Sequence, residues 1–580
     1  MKENKILSKS YLAFSIICLV SIWVYSSSIN YDFTNLDDQV QIVKNSNIRS
    51  LSFENISAIF SSTSVGMYQP ISTIFYAVVY SVSELNPGGF HILSLLFHLL
   101  NCLLVLKILS KFKINESLAI LLTSLFALHP MQVESVSWLS AFSNLCFTFF
   151  FLLAFLSYLK FSKSKSKKDY LLTLLFFIFS AFSKSTAVVF PVIIIAYDFI
   201  ILKNKLIKSV ITKIPLFVIS IVFGIITIFS RESAGHLSDL STSYSWFDRI
   251  FLISHSILFY PLKFIAPINL SAFYAYPELS DGFLPVNYYL APIVILIIVG
   301  LLWKFKPNRT VLFGLAFYLI GIALVLQFIP VGNQLTTDRY IYLPMIGLLV
   351  VLSNFLKKLP QQLVLALFLI PIGLSLLSFE RTKVWESDYS LWIDVLEKNE
   401  RVAQAHNNLG SYVLQEGKSK EAMHFFNRAI EIKPYYADAY SNRGSLYSDL
   451  GSSKKAMEDL NQAIELRPHA DAYYNRANEF IKLKDLNSAF ADYDKSIELL
   501  PSADAYTNRA FAYAQSNQLD SAFKDLSNAI KLDNTYGQAF FLRGMIYNQT
   551  KKKTLACEDF KRAANLNHEK AQQAYNQLCR

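Results

Sequence analysis

Apolar residues are arranged along this chain in two different ways, and the change falls near residue 385. Before it, mostly apolar runs of roughly 15–20 residues alternate with short polar segments. A helix of that length rises far enough to cross about 30 Å of hydrocarbon. The runs predict spanning helices at 10–27, 90–110, 115–129, 142–160, 170–184, 186–202, 213–230, 287–304, 310–330, 339–356 and 360–379. Two further segments, 70–84 and 247–266, are apolar but awkward as spans, the second because Pro261 sits inside it. Beyond residue 400 no such run occurs, and small residues recur instead in a polar background rich in Ala, Tyr, Asn, Lys and Asp.

That second pattern is periodic. Five copies begin at Val402/Ala403, Ala437, Ala470, Ala503 and Gly537, a spacing of 33–34 residues. Gly410, Gly444, Ala477, Ala510 and Gly544 recur where one predicted helix meets its neighbour, and Ala422, Ala456, Ala489, Ala522 and Ala556 recur on the second helix. Pro434, Pro468 and Pro501 close repeats, where proline stops a helix. This is the tetratricopeptide (TPR) pattern of stacked helix pairs, a binding surface rather than a catalyst. Residues Ala571 to Arg580 read as a capping helix. The fold class is therefore all-α: a polytopic membrane bundle over 1–384, a connecting helix at 385–401, and a TPR α-solenoid over 402–580. Asn408, Asn442, Asn475 and Asn508 occupy one position in the first four repeats, with Leu542 in the fifth. An amide both donates and accepts, so such a ladder could hold a peptide backbone without reading its sequence. It resembles the asparagine ladder of the TPR region in O-linked N-acetylglucosamine transferases. The plainer reading is asparagine tolerated on a solvated face.

Charge then orients the bundle. The net charge of +11 would suggest nucleic acid in a soluble chain, but the basic residues lie between apolar runs, as in cytoplasmic loops, and no nucleic-acid partner is expected. The clusters are Lys2, Lys5 and Lys9; Lys107, Lys111 and Lys113; Lys160, Lys163, Lys165, Lys167 and Lys168; Lys203, Lys205, Lys208 and Lys213; Lys304, Lys306 and Arg309; and Lys357 with Lys358. With the N-terminus in the cytoplasm, every cluster falls inside. The loops 28–69, 129–141, 231–246, 267–286 and 331–338 then fall outside, as do the repeats. This requires that 247–266 be re-entrant, superficial or broken, and leaves about eleven full spans. The first run, Tyr11 to Tyr25, has the flanking charge of a signal peptide but no small-residue cleavage site, and reads as an uncleaved helix. Cys18, Cys102 and Cys146 are membrane-buried thiols on this reading. Cys557 and Cys579 are read as free thiols, with a disulfide as the alternative.

Polar groups at membrane depth are costly, so they mark function. The first outside loop opens Asn30-Tyr31-Asp32-Phe33-Thr34-Asn35-Leu36-Asp37-Asp38, which offers two carboxylates for general-base work or cation binding, or a plain acidic turn. Tyr68-Gln69-Pro70, His91 and His98, His129 through Glu134, Lys184, and Thr337-Asp338-Arg339-Tyr340 through Pro344 follow on the same side. No zinc spacing, phosphate-cradling glycine loop or serine-hydrolase elbow occurs.

These segments in this order, with Ser183-Lys184, Val384-Trp385 and Leu391-Trp392, resemble the transmembrane and TPR-containing protein O-mannosyltransferase-like family of the GT-C glycosyltransferase superfamily, over nearly the whole chain. Gln69 departs from the family's usual arginine, and Ser185 from its glutamate. The resemblance implies sugar transfer, of mannose or another hexose, from a polyprenyl-phosphate donor to an acceptor hydroxyl, such as protein Ser/Thr, on the outer face of the membrane. Asp37 would be the base, with Asp38 supporting or sharing that role. Arg339 and Lys184 would hold the phosphate, and His129 and Glu134 would line the sugar site. No metal and no cofactor beyond the donor are implied. The partners are membrane lipid, the donor and a polypeptide acceptor in the repeat groove. The lysine- and serine-rich, cysteine-poor composition suggests a bacterial inner membrane with periplasmic repeats, the endoplasmic reticulum with lumenal repeats being the alternative. A catalytically degenerate, membrane-anchored TPR scaffold is the competing function.

The topology predicts that a cysteine on the solvent side of the repeats reacts with an impermeant thiol reagent in intact spheroplasts. A cysteine at Ser166, in the third basic loop, should stay unlabelled until the membrane is opened. Labelling in the reverse order would invert the bundle.

Overall fold

Inside hydrocarbon a backbone must satisfy its own N–H and C=O groups, and helices do so within one segment. The computed structural model, described over residues 2–112, 114–233, 244–328 and 334–579, is accordingly helical at each of the eleven predicted runs. Lys113, the side chains of Lys2, Lys5 and Lys9, most of the loop 231–246, the start of the loop 331–338 and Arg580 lie outside the described residues. The chain divides into two units, Met1–Lys398 and Asn399–Arg580. The helix Asp388–Lys398, expected as part of a connecting segment, thus belongs to the first unit.

By length and composition, six helices of the described residues suffice to cross a bilayer: Leu12–Asn30, Pro87–Lys111, Leu139–Ser164, Ile214–Arg231, Val286–Phe305 and Gln361–Trp385. A seventh candidate, Glu116–Leu128 with Pro130–Ser137, is bent by 52°. The other predicted runs are apolar but shorter. Met345–Leu356, at 12 residues, reaches only about 18 Å by itself. The run 186–202 is composite, with the α-helix Phe190–Ala196 between a tight turn at Ser185–Val189 and a wide one at Tyr197–Ile201.

The awkward segment at 247–266 is one helix, Trp246–Ile265, opened by a reciprocal cap between Ser245 and Asp248 and continuous through Pro261. It buries Leu252, Phe259 and Tyr260 and exposes Trp246 (76%), Phe247, Ile250, Leu262 and Ile265. A helix split in this way suits the membrane surface better than a crossing. The centre of the bundle is the stretch from Leu118 to Phe155, almost wholly buried, whereas Val286–Phe305 turns Leu296, Ile297 and Val299 outward, as a lipid-facing helix does. Helices Arg309–Ile322 and Met345–Leu356 approach so closely that a Cβ on Gly314 would stand 2.7 Å from the Gly347 carbonyl oxygen. Small residues at such crossings permit this contact. A short antiparallel pairing joins Tyr274–Ala275 to Gln334–Thr336.

The second unit holds five helix pairs, from Ala403–Gln415 with Ser419–Ile432 to Gly537–Gln549 with Lys553–Asn565, and then the helix Glu569–Leu578. The small residues sit where the repeat pattern put them: a Cβ on Gly410 would lie 2.6 Å from the Phe426 ring. A second periodic feature accompanies them. Arg443, Arg476, Arg509 and Arg543 on the first helices each make a two-pronged bond to Asp459, Asp492, Asp525 and Asp559 on the second, with Nε–Oδ2 distances of 2.6–2.7 Å. Cys557 and Cys579 are joined in a disulfide rather than free, which ties the capping helix to the last repeat.

A charged fork that loses its partner while half-buried is costly, by about 1–3 kcal/mol here given its partial exposure. Asp492→Ala in the full-length protein should therefore speed hydrogen exchange of the amides in Ala470–Lys482 and Leu486–Leu499 by roughly 5–100-fold. The bundle's amides should be unchanged, and uniform protection across the variant would show the fork to be dispensable.

Candidate active site

The first outside loop begins where the first span ends, and three contacts from the chain around residues 386–392 hold it down. Asp32 N–H donates to the Glu386 carbonyl at 3.3 Å. Asn35 N–H donates to Asp388 at 2.6 Å, and the Trp392 indole donates to Asn35 at 3.1 Å. Trp385 and Trp392 are buried anchors, Trp385 stacking on Trp138 at 5.7 Å between ring centres. Of the tryptophans that carried the family resemblance, Trp392 therefore pins the loop bearing Asp37 and Asp38 directly.

These neighbouring carboxylates have opposite surroundings. Asp38 is buried, and its Oδ2 accepts from Thr34 N–H at 2.9 Å and the Thr34 hydroxyl at 3.0 Å. Its Oδ1 accepts from Ser140 N–H at 2.8 Å and from the Ser140 hydroxyl. Burial raises its pKa, and the four hydrogen bonds pull it back. Asp38 thus joins the first outside loop to the second. Asp37 is half-buried, and its carboxylate has no hydrogen-bond partner among the described residues. Burial pushes it up to about 7; the Arg339 charge pulls it down, Asp38 pushes it up, and Lys184 pulls it down. A carboxylate held near neutrality with a free lone pair is equipped to take a proton.

Arg339 is fixed by Glu134, whose two oxygens accept from the Arg339 backbone N–H at 2.9 Å and from its guanidinium. The guanidinium carbon lies 4.9 Å from the Trp138 ring centre and 5.1 Å from that of Tyr340. Lys184 Nζ donates to Asn144 Oδ1 at 2.6 Å, and its charge acts with those of Arg339, Arg231, Glu134 and Asp37. The expected residues Asp37, Lys184, Glu134 and Arg339 therefore gather in one cluster. Next to it, Tyr274 O–H donates to Asp338 at 2.9 Å, and Arg381 is bound to both oxygens of Asp394, with Nη1–oxygen distances of 2.9 Å.

Two residues expected to line the sugar site have protein partners of their own. Glu134 is engaged by Arg339 through both oxygens and positions that cation. His129 accepts from Met131 N–H through Nδ1 at 3.2 Å, which leaves Nε2–H to donate to the Phe264 carbonyl at 3.0 Å. It is buried against Phe264 with both nitrogens occupied and caps the bent segment. Gln69, in place of the family's arginine, donates to Gln41 at 2.8 Å, a neutral pairing in a buried place. In the repeats, the amides of Asn442, Asn475 and Asn508 each donate to the preceding repeat, to Asn407 and Ser411, to Ser441, and to Tyr474 and Asn478, while Asn408 accepts from Asn407. Sequence reasoning missed Ser140, Asn144 and Arg231, each within a few residues of a segment it had chosen.

The architecture is that of a polytopic membrane helical bundle followed by a TPR solenoid. The tetratricopeptide-repeat family matches residues 403–436, 437–469, 470–502, 503–536 and 537–569. Along the longer chain, the protein resembles the protein O-mannosyl-transferases. It is 23% identical over 423 residues to protein O-mannosyl-transferase TMTC3 of Homo sapiens, covering 63% of this chain and 45% of that protein. It is 27% identical over 451 residues to a protein O-mannosyl-transferase of Caenorhabditis elegans, covering 73% of this chain and 63% of that one. The chain thus spans about half to two thirds of the length of these curated relatives. Among solved structures it matches that of MamA at 22% identity and a TM-score of 0.25, over 28% of this chain and 96% of that one.

The two carboxylates predict opposite effects on stability. Asp38→Asn turns an amide N–H toward existing donors and should cost about 2–4 kcal/mol. Asp37→Asn removes a charge that burial disfavours. The folded pKa of Asp37 is raised from 3.8 to about 7, so the penalty builds as pH rises between these values and is complete above about 7, where the variant should melt at or above the wild-type temperature. Thermal unfolding in detergent at pH 8 checks both; equal losses would erase the distinction.

Proposed function

We propose that this chain is an inverting membrane glycosyltransferase that moves a sugar, mannose or another hexose, from a polyprenyl-phosphate donor to a hydroxyl of a protein acceptor on the outer face of the membrane. The observation that carries the proposal is Asp37: a carboxylate with no hydrogen-bond partner among the described residues, held near pH 7, beside Arg339 and Lys184. Asp37 takes the proton of the acceptor hydroxyl as that oxygen attacks the anomeric carbon. The bond from that carbon to the phosphate oxygen breaks, and its electron pair leaves with the phosphate. Arg339, pre-set by Glu134, stabilises the charge that develops there, where a fixed donor outperforms water that must reorient. The resemblance to protein O-mannosyl-transferases supports the reaction class.

The disulfide Cys557–Cys579 supports placing the repeats on the outer, oxidising side, since such bonds persist there and not in reducing cytosol. With the basic loops inside, this matches a bacterial inner-membrane enzyme whose repeats are periplasmic. The repeat groove is the acceptor-binding surface. Its asparagines Asn408, Asn442, Asn475 and Asn508 would contact the polypeptide chiefly as acceptors, because the amide groups of the last three are already donating within the array.

Asp37→Asn should lower transfer from a mannosyl polyprenyl phosphate to a protein acceptor by ~10²–10⁴-fold, with the protein still folded and in the membrane. In the wild type, kcat/KM should rise as Asp37 loses its proton through about pH 7 and level off above it. Full activity in Asp37→Asn, or a flat profile from about pH 5.5 to 8.5, removes Asp37 as the base.

A further inference from the structure

The proposed site contains a cation that the family motifs did not point to. Arg231 lies in the last turn of the helix Ile214–Ser233. That helix runs beside the segment bearing Lys184: the Ser220 hydroxyl donates to the Val188 carbonyl at 3.0 Å, and Phe223 packs edge-on against Phe182 at 4.8 Å. Both Lys167–Ser183 and Ile214–Ser233 start at basic loops and run toward the same face. Eight residues past Phe223, a rise of about 12 Å brings Arg231 to the rim above Lys184. Its charge acts there on both Lys184 and the Tyr340 hydroxyl, next to Arg339. The side chain is half-buried, unlike Phe229, which is 66% exposed. An arginine at the end of a span often reaches for lipid headgroups; this one is turned inward, toward the cluster.

The balance of charge says what it meets. Of the three cations, Arg339 is paired with Glu134. Neither Lys184 nor Arg231 has a carboxylate within ion-pair distance among the described residues; Lys184 meets only the neutral Asn144. Asp37 cannot serve as a permanent counter-ion if it accepts a proton during the reaction. Among the described residues, two basic side chains of the cluster are therefore left without an ion-paired acid. A sugar phosphodiester carries one negative charge. When the sugar–oxygen bond breaks and the electron pair stays with phosphate, the leaving monoester carries up to two. A pair of fixed cations meets that second charge only as it develops, which favours the transition state over the bound donor.

We infer that Arg231 is a further phosphate-binding residue of this site, acting with Lys184 on the dianionic monoester that a lipid-phosphate donor leaves behind. The inference rests on the transferase reading for its meaning but is tested by binding, which does not. Full-length protein in nanodiscs is titrated with farnesyl monophosphate, with its methyl diester, and with inorganic phosphate. Arg231→Ala should weaken the monoester by roughly 10–100-fold and the singly charged diester several-fold less, with Arg231→Lys in between. Asp37→Asn should bind the monoester at least as tightly as wild type, since it removes only negative charge. In the transfer assay Arg231→Ala should lower kcat more than it raises KM for donor, and added guanidinium should restore part of the rate. Unchanged monoester binding in Arg231→Ala, or no binding by wild type, overturns the assignment. So does an equal loss on monoester and diester, which would leave only a general attraction for anions. Inorganic phosphate bound as tightly as the lipid ester overturns the lipid-phosphate class. If binding behaves as stated while wild type transfers no sugar, the phosphate site stands and the transferase reading falls.

Discussion

One buried carboxylate holds two loops at one end of the bundle together. Asp38 collects two donors from Thr34 and two from Ser140, residues 106 positions apart in the chain. Each oxygen has two donors, so the charge is stabilised where burial alone would drive it to neutrality. The geometric effect extends further. Fixing Thr34 and Asp38 fixes the turn between them, and with it the direction in which Asp37 points. Fixing Ser140 sets the start of the central helix Phe142–Ser164, which carries Asn144, the partner of Lys184. Asp37 and Lys184 are thereby positioned from one anchor.

The Glu134–Arg339 pair extends the same logic. A buried ion pair is rarely a net gain in stability, because desolvation offsets attraction. Its use here is orientation. Glu134 binds both the backbone N–H and the guanidinium of Arg339, so main chain and side chain are set together, and Trp138 supplies a face beneath the guanidinium. Trp138 in turn stacks on Trp385, at the end of the last span, and the residues after it tie down Asn35 and Asp32. Segments more than 200 residues apart in sequence thus form a closed ring of contacts around Asp37. A charge-handling site gains from such rigidity, since little reorganisation is left for the reaction itself.

How much of this could be read from the chain depended on the physics behind each feature. Helix in the bundle was legible at all eleven runs, because hydrocarbon leaves the backbone no other option. The number of full crossings was less so: hydropathy reports that a segment is apolar, whereas 12 residues at Met345–Leu356 and the bend at His129 are matters of packing. The repeats were legible from five in-phase small residues. The Arg–Asp forks carry the same kind of signal, arginine and aspartate 16 residues apart in four successive repeats, and could have been found by the same comparison. Within the site, sequence could place Asp37 and Asp38 in the same loop but not divide their roles, since adjacent residues of one type differ only in what the fold brings to them. The part that His129 plays at the bend was illegible for the opposite reason: it arises only once the helix breaks there.

The repeat array shows how a one-dimensional solenoid is held together pair by pair. Each internal pair is held by its own fork, so stability is local and every repeat depends on its neighbours for the remainder of its burial. At the beginning, Leu409 stands where the later repeats have arginine, and the first pair relies on an apolar cluster of Val413, Ala422, Phe426 and Leu446. After the fifth repeat the helix Glu569–Leu578 covers the last pair, with Ala571 against Phe540 and Ala563, and His568 stacks on Phe541 at 4.5 Å. A ten-residue helix with one buried alanine would fray on packing alone. The disulfide closes a loop of 22 residues there and removes about 3 kcal/mol of chain entropy from the frayed state. The covalent bond thus secures a helix whose own buried face is small. Reducing it should loosen the cap first and leave the forked repeats intact.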